Sequence, residues 1–443
     1  MANDLTMGKP NRVLWAYSLP LFGSVVFQQL YNIADSVVAG RFIGENALAA
    51  VGNSYEVTLV YLAFAVGLNI GVSVVAARLF GAKRIGQLKT AVNTAFWLSL
   101  AVCLVLMLFG FFGSAALLEL IQTPEEIMGD TLLYLNIYTA GLPFLFLYNI
   151  STGIFASLGD SKTPFVFLAI SSVSNILLDI LFVTAFHMGV AGVAWATFLC
   201  QGVSCVLAVC ALLKHVHGMQ TEEPHQRFSF PIFRSIVQIA LPSTLQQSFV
   251  SVGNIAIQSI INGFGTSAIA GYAAAVKFNN FAVTSFSTLG TGVSNFTAQN
   301  LGAGKTERVK TGYRAAIQMM AVIVTLFAVP YLFFGRVVIQ LFLSAENTAA
   351  LAIGTQFLRV VAPFYYVVAL KLATDGILRG AGRMNEFMGG TLADLVLRVS
   401  LSFALAAPLG LLGVWWSWPI GWTLATLLSV WFYRRGKWKQ MID

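Results

Sequence analysis

The sequence predicts an all-α polytopic membrane protein whose twelve transmembrane helices form two pseudo-symmetric six-helix lobes around a central cleft. Three observations lead to this fold class: an apolar composition, a one-sided distribution of basic residues, and a repeat between the halves of the chain. Of the 443 residues, 57% are hydrophobic and 10% are charged. Soluble domains carry about 25% charged residues, so most of this chain is expected to lie in a bilayer.

Twelve apolar segments are long enough to cross the membrane, since each crossing needs about 20 residues. Their centres are expected near residues 27, 66, 102, 144, 175, 201, 247, 287, 325, 366, 397 and 422. Pro408–Gly410 separates the last two segments. The first segment, Leu14–Gly40, is too long for a signal-peptide core and lacks a small-residue cleavage site, so we expect it to be retained.

Basic residues fall mainly on one side of the predicted spans. The N-terminus, alternate loops and the C-terminal tail together hold 20 of the 26 Lys and Arg residues. The opposite loop at 114–131 carries four acidic residues and no basic one. By the positive-inside rule both termini are cytoplasmic, which requires an even number of spans. The net charge of +8 therefore reflects orientation and contact with membrane lipids, and we expect no nucleic-acid partner.

The two halves of the chain resemble each other at an offset of 220–223 residues. Leu19–Pro20 recurs as Leu241–Pro242, and further matches follow in the same order along both halves. Parallel six-span repeats are typical of transporters rather than channels or receptors. We expect an N-lobe at residues 1–214, a linker at 215–231 and a C-lobe at 232–443. The two prolines predict bends beside a cavity, with an ordinary packing kink as the alternative.

Asp35 places a carboxylate inside the first apolar segment. Its spacing puts it on one helix face with Gln28, Tyr31 and Asn32. A charge in the bilayer costs roughly 2.5–3.5 kcal/mol on insertion scales, and such residues usually mark an ion or proton path. A polar patch that helps helices pack is the alternative.

The fifth and sixth segments supply matching oxygen atoms. Asn175 and Asp179 lie one helical turn apart in the fifth segment, and Thr197 lies in the sixth. Together with Asp35 they offer carboxylate, amide and hydroxyl oxygens, which suit a small alkali cation. The same carboxylates can carry a proton. The sequence thus predicts a site for Na+ or H+ and does not distinguish the two ions.

The second half does not repeat this set and carries different intramembrane charges. Lys371 and Asp375 lie in the tenth segment, and Asp394 and Arg398 in the eleventh. Each pair has i,i+4 spacing, which favours mutual neutralisation; a polar relay beside the substrate is the alternative. Apart from a coupling ion we expect no metal, cofactor or enzymatic activity, because His/Glu metal motifs, a nucleophile elbow and a P-loop are missing.

These residues resemble the multidrug and toxic compound extrusion (MATE) transporters of the DinF-like and MepA-like bacterial branch. The motif is Gln28-x-x-Tyr31-Asn-x-x-Asp35-x-x-x-x-Gly40, joined by Asn175-x-x-x-Asp179 and Thr197. In that family the matching positions form the N-lobe cation site, and Tyr31 falls on a tyrosine of its network. The NorM-like branch adds a seventh-helix glutamate, but Leu241–Asn262 has no acidic residue here, which argues against a C-lobe cation site of that kind.

The resemblance implies a secondary active antiporter that exports lipophilic or cationic compounds in exchange for Na+ or H+ by alternating access. It also implies a bacterial cytoplasmic (inner) membrane location, and we expect a monomer. A flippase for lipid-linked oligosaccharides is the alternative, since a related superfamily branch shares the two-lobe plan.

Overall fold

The computed structural model describes residues 4–38, 42–120, 123–343 and 345–439, and this part of the chain is helical without any strand. The side chains at 33–37, 45, 48, 55 and 56 lie outside the description. The helices are α1 (Pro10–Val38), α2 (Glu45–Gly81), α3 (Ile85–Leu120), α4 (Glu125–Ala140), α5 (Leu142–Ser157), α6 (Lys162–Ile180), α7 (Gly189–His217), α8 (Phe230–Asn262), α9 (Thr266–Gly302), α10 (Thr306–Phe333), α11 (Gly335–Ile339), α12 (Thr348–Val361), α13 (Tyr365–Gly380), α14 (Met384–Leu409) and α15 (Leu411–Arg434).

Within the described residues these helices form twelve membrane spans. The α4–α5 pair, bent by 48°, is one span, and α12 continues into α13 as a second two-part span. Each predicted centre lies inside its own span, so the twelve-helix prediction is confirmed. Hydropathy alone finds eight spans, or nine with the bent pair. The spans it misses are α8, α9 and α15, in which Ser, Gln, Gly or Trp residues interrupt the apolar sequence.

The first compact unit comprises Met1–Asp4 and Leu19–Thr244. It holds α2–α7, most of α1 and the first part of α8. Glycines let helices approach closely: a Cβ on Gly71 would lie 2.7 Å from the Ile236 carbonyl oxygen of α8. The segment between α7 and α8 runs along α3, where the Gly86 amide donates to Glu223 and the Gln226 amide donates to Thr90.

The second compact unit comprises Leu5–Ser18 and Leu245–Asp443. The helices α9 and α13 cross without intervening side chains, since a Cβ on Gly376 would lie 2.5 Å from the Gly290 carbonyl oxygen. The N-terminal residues are bound to this unit. The Leu5 amide donates to Gln299, and Arg308 donates to the carbonyls of Leu5, Met7 and Gly8.

The compact units differ from the predicted lobes 1–214 and 232–443. The chain changes unit inside α1, between Ser18 and Leu19, and inside α8, between Thr244 and Leu245. Both changes lie within two residues of a helix-interior proline, Pro20 or Pro242. The segment expected as a linker, 215–231, belongs to the first unit because its backbone is bound to α3. Hydropathy locates spans but carries no information on which neighbours each part of a span contacts.

Candidate cation-binding site

Asn175 and Thr197 meet between α6 and α7 in the first unit, and Asp179 lies one turn farther along α6. The exposed fractions of Asp179, Asn175 and Thr197 are 0%, 2% and 3%. Asn175 and Asp179 share a face of α6 because they are four residues apart. The Asn175 Nδ2 donates to Thr197 Oγ1 at 3.5 Å. An amide, a carboxylate and a hydroxyl are thus gathered in a water-poor part of the membrane domain.

The chain reverses tightly after Asp179, which returns α7 alongside α6. A π-helical turn, Leu181–Ala185, follows α6 directly. His187 and Gly189 then adopt positive φ angles of 51° and 59°. Such π-turns inside helices often occur at functional sites. The turn sets the register that brings Thr197 level with Asn175.

The third side of the cluster comes from α1. Tyr31 Oη lies 3.3 Å from Thr197 Oγ1, and either hydroxyl can donate. Asn32 is half-buried and makes polar or ring contacts, whereas Gln28 is exposed and does not join the cluster among the described residues. The Asp35 backbone belongs to α1, but its side chain lies outside the described residues. Because Asp35 follows Tyr31 by four residues, it lies one turn farther along the same helix face.

An apolar cluster covers one end of the site. Its buried members come from α1, α2, α4, the π-turn and α7: Val38, Ala47, Tyr134, Ile137, Val183, Val190, Val193 and Ala194. Val183 lies one turn beyond Asp179, and Val193 one turn before Thr197. In such low-dielectric surroundings a buried carboxylate is stabilised when a cation or a proton compensates its charge. Within the described part of the chain, no three His, Cys, Asp or Glu side chains are grouped as metal ligands.

The second unit holds the Lys371–Asp375 pair. Lys371 Nζ lies 2.6 Å from Asp375 Oδ2, and both residues are almost fully buried. Ser429 of α15 donates to the other carboxylate oxygen at 2.8 Å. Each carboxylate oxygen therefore has a donor, and the ammonium neutralises the charge. The geometry of Lys371 and Asp375 therefore agrees with mutual neutralisation of the pair.

Asp394 and Arg398 behave differently from the first pair. Among the described residues they form no ion pair within 4.0 Å, despite the i,i+4 spacing. Arg398 Nη1 instead donates to Asn254 of α8 at 3.2 Å, and its guanidinium lies 4.5 Å from the centre of the Trp418 ring. Asp394 Oδ1 is buried beside Gly421 of α15. The expectation of local neutralisation therefore fails for this pair, because α8 and α15 offer the guanidinium closer partners.

Sequence reasoning missed Ser429 and Trp418 as partners of these charges. Ser429 lies in the twelfth span without any motif, and Trp418 was one of nine tryptophans. Asn254 could have been singled out from the sequence, because it occupies the position in the second half that Asn32 occupies in the first.

The sequence model of the MatE family matches the chain twice, over residues 20–181 and 242–404. The chain belongs to the MatE family. The two matches are offset by about 222 residues, as the internal repeat predicts, and together they cover most of the twelve spans.

Three curated relatives align with this MatE chain. A probable multidrug resistance protein, YpnP of Bacillus subtilis, is 30% identical over 99% of this chain and 98% of its own length. The FAD transporter of Shewanella oneidensis is 25% identical over 75% of this chain and 74% of its own. The multidrug export protein MepA of Staphylococcus saprophyticus is 23% identical over 94% of this chain and 91% of its own.

Solved structures support the same fold. An outward-facing MATE-family transporter of the MOP superfamily superimposes with a TM-score of 0.93 and 24% identity, over 99% of this chain and 98% of the other. At this identity the likeness establishes the MatE fold of the chain and nothing about its cargo.

Proposed function

We propose that this MatE protein is a secondary active multidrug exporter that moves lipophilic, often cationic compounds out of a bacterial cell. Export is driven by Na+ or H+ entering down its gradient, by alternating access. Membership of the MatE family and the names of YpnP and MepA support this function. The basic loops support an orientation with both termini in the cytoplasm.

One observation carries the proposal: Asn175 and Tyr31 both contact the buried Thr197 hydroxyl, and the buried Asp179 lies one turn from Asn175 along α6. Three helices contribute to it, so an ion that binds there changes the contacts of α1 with α6 and α7. We expect Asp35, one turn beyond Tyr31 in the sequence of α1, to supply the second carboxylate. A unit charge that crosses 100 mV contributes about 2.3 kcal/mol, enough for roughly a 50-fold gradient of a neutral compound.

The flippase alternative lacks support from Lys371 and Arg398, the basic members of the two predicted intramembrane pairs in the second unit. Recognition of a pyrophosphate-linked lipid would need several basic side chains available to the substrate. Lys371 is neutralised by Asp375, and Arg398 is bound by Asn254 and Trp418. We therefore do not propose it.

The test is uptake of a fluorescent lipophilic cation into proteoliposomes, with an imposed Na+ gradient and, separately, an imposed pH gradient. Wild type is expected to respond to one gradient and to lose transport when an ionophore collapses it. Asp35→Asn and Asp179→Asn are expected to lower the initial rate at least tenfold, since each removes a charge and keeps the side-chain shape. Asp130→Asn, an exposed acid on α4, is the matched control and should keep the wild-type rate.

Flavin adenine dinucleotide, the cargo named for one relative, serves as the anionic competitor in the same assay. It should leave cation transport unchanged. Equal transport by Asp179→Asn and wild type would overturn the proposed ion site, and competition by the flavin would overturn the proposed substrate class.

A further inference from the structure

The second unit contains a groove that the transport site does not use. It has a volume of about 600 Å³ and lies between α11, α12 and the first turns of α15. One part of its lining is polar and basic, with Arg336, Arg359 and Thr355. The rest is mainly apolar and includes Leu351, Phe364 and Trp416. The lining of the groove thus includes both basic and apolar side chains.

Both arginines are available to a ligand. Arg336 and Arg359 are exposed, and neither forms an ion pair within 4.0 Å among the described residues. The acid nearest to them in sequence, Glu346, does not line the groove. Two guanidinium groups without a carboxylate partner favour an anionic group that accepts several hydrogen bonds, such as a phosphate.

Thr355 adds an independent observation. It lines the groove with 7% of its surface exposed, and its Oγ1 has no hydrogen-bond partner among the described residues. A Cβ added to Gly335 would lie 3.4 Å from the Thr355 methyl carbon, so α11 packs closely against α12 beside Thr355. A buried hydroxyl without a partner is costly, and a ligand oxygen would satisfy it.

The depth of the groove matches the headgroup region of a bilayer. The α12–α13 span has 33 residues, or about 50 Å at 1.5 Å per residue, against a hydrocarbon core of about 30 Å. About 10 Å therefore extends beyond the core at each end. Arg359, eleven residues after Thr348, lies about 6 Å inside the boundary, where a long basic side chain still reaches the headgroups.

The elements that line the groove, and the turn after α11, expose large apolar side chains, as a lipid-facing surface does. Val337, Leu341, Leu412 and Trp416 all expose large apolar side chains, with Leu341 75% exposed. These apolar side chains would not stabilise a bound soluble anion, whereas the acyl chains of a lipid would pack against them. Tryptophan is also typical of the membrane–water interface.

We propose that this groove binds one anionic phospholipid. Its phosphate contacts Arg336, Arg359 and the Thr355 hydroxyl, and an acyl chain lies along Leu351, Phe364 and Trp416. The lipid comes from the leaflet opposite the basic loops, because α11 and the start of α12 lie at that end of the spans. It joins α12 to α15 on the membrane side of the second unit.

Native mass spectrometry of the detergent-purified protein tests this site by titration with phosphatidylglycerol and, separately, with phosphatidylcholine of the same acyl chains. Wild type should bind one phosphatidylglycerol more tightly than phosphatidylcholine. Each arginine removed should weaken binding about fivefold, so Arg336→Gln/Arg359→Gln should weaken it about 25-fold. Arg314→Gln, an exposed arginine at the opposite end of α10, is the matched control and should bind as wild type does.

Thr355→Val supplies a second variant that alters no charge and should weaken phosphatidylglycerol binding several-fold. Glycerol 3-phosphate added alone separates a lipid site from a simple anion site and should not compete at equal concentration. Unchanged preference for phosphatidylglycerol in the double-arginine variant would overturn the proposal. Competition by glycerol 3-phosphate at equal concentration would overturn it as well.

Discussion

Replacing Lys371 with methionine leaves the Asp375 carboxylate buried without its cation. The ammonium lies 2.6 Å from Oδ2, and both side chains are less than a tenth exposed, so water cannot take its place. After the change, Ser429 still donates to Oδ1, but Oδ2 loses its donor. Breaking a buried ion pair in this way costs about 3–5 kcal/mol. We expect a thermal midpoint about 5 °C lower in detergent.

The double variant Lys371→Met/Asp375→Asn removes both charges. The amide oxygen can still accept from Ser429, so its stability should return to within about 1 kcal/mol of wild type. A double-mutant cycle should therefore give a coupling energy of about 2–4 kcal/mol. The exposed pair Lys310–Glu307, also on one helix, is the matched control and should couple by less than about 1 kcal/mol.

The assay is thermal unfolding followed by tryptophan fluorescence, combined with proteoliposome transport of each variant. If the pair serves only to neutralise charge, the stable double variant should transport at a rate close to wild type. A double variant that is stable but inactive would refute this reasoning and assign the pair to the polar relay. A Lys371→Met variant as stable as wild type would refute the claim that the pair is desolvated.

Two further predictions concern packing and the N-terminal residues. Gly376→Ala places a Cβ 2.5 Å from a backbone carbonyl oxygen of α9 and should lower the free energy of unfolding by about 1–3 kcal/mol. Gly389→Ala, whose Cβ meets its nearest atom at 3.5 Å, is the control and should leave stability unchanged or raise it. Thermal midpoints that fall equally in the two variants would contradict this. Arg308→Ala removes the donors to the carbonyls of Leu5, Met7 and Gly8 and should speed amide hydrogen exchange in the N-terminal segment at least tenfold, whereas Arg314→Ala should leave it unchanged. Equal protection in both variants would show that other contacts hold the segment.

The spans were predictable because the bilayer imposes one simple requirement, about 20 apolar residues per crossing. Mean hydropathy alone does not identify α15 as a span, because its five tryptophans lower the mean. The position of this span is nevertheless clear from Gly410 before it and the basic tail after it. The prediction that Asn175, Asp179 and Thr197 meet depended on one helical spacing and one short turn. Both are local properties that a sequence displays directly.

The partners of the second-unit charges could not be predicted in the same way. Arg398 has a carboxylate one turn earlier on its own helix, yet it bonds to Asn254 and stacks on Trp418. This choice depends on where α8 and α15 pass the guanidinium, which no spacing within α14 encodes. The i,i+4 rule worked for Lys371 because its flexible chain reaches Asp375 along the same helix face.

The exchange of helix segments between the two units has a consequence for synthesis of the chain. Leu5–Ser18 is synthesised well before the rest of its unit, Leu245–Asp443, which includes Asn295, the donor to Tyr17. The first unit in turn is complete only after Thr244. A fragment that ends at Gly218 would carry an N-terminal segment without its partners and lack the α8 segment that packs on α2. The two halves of the repeat are therefore not independent folding units, and their native packing must wait for insertion of the later spans.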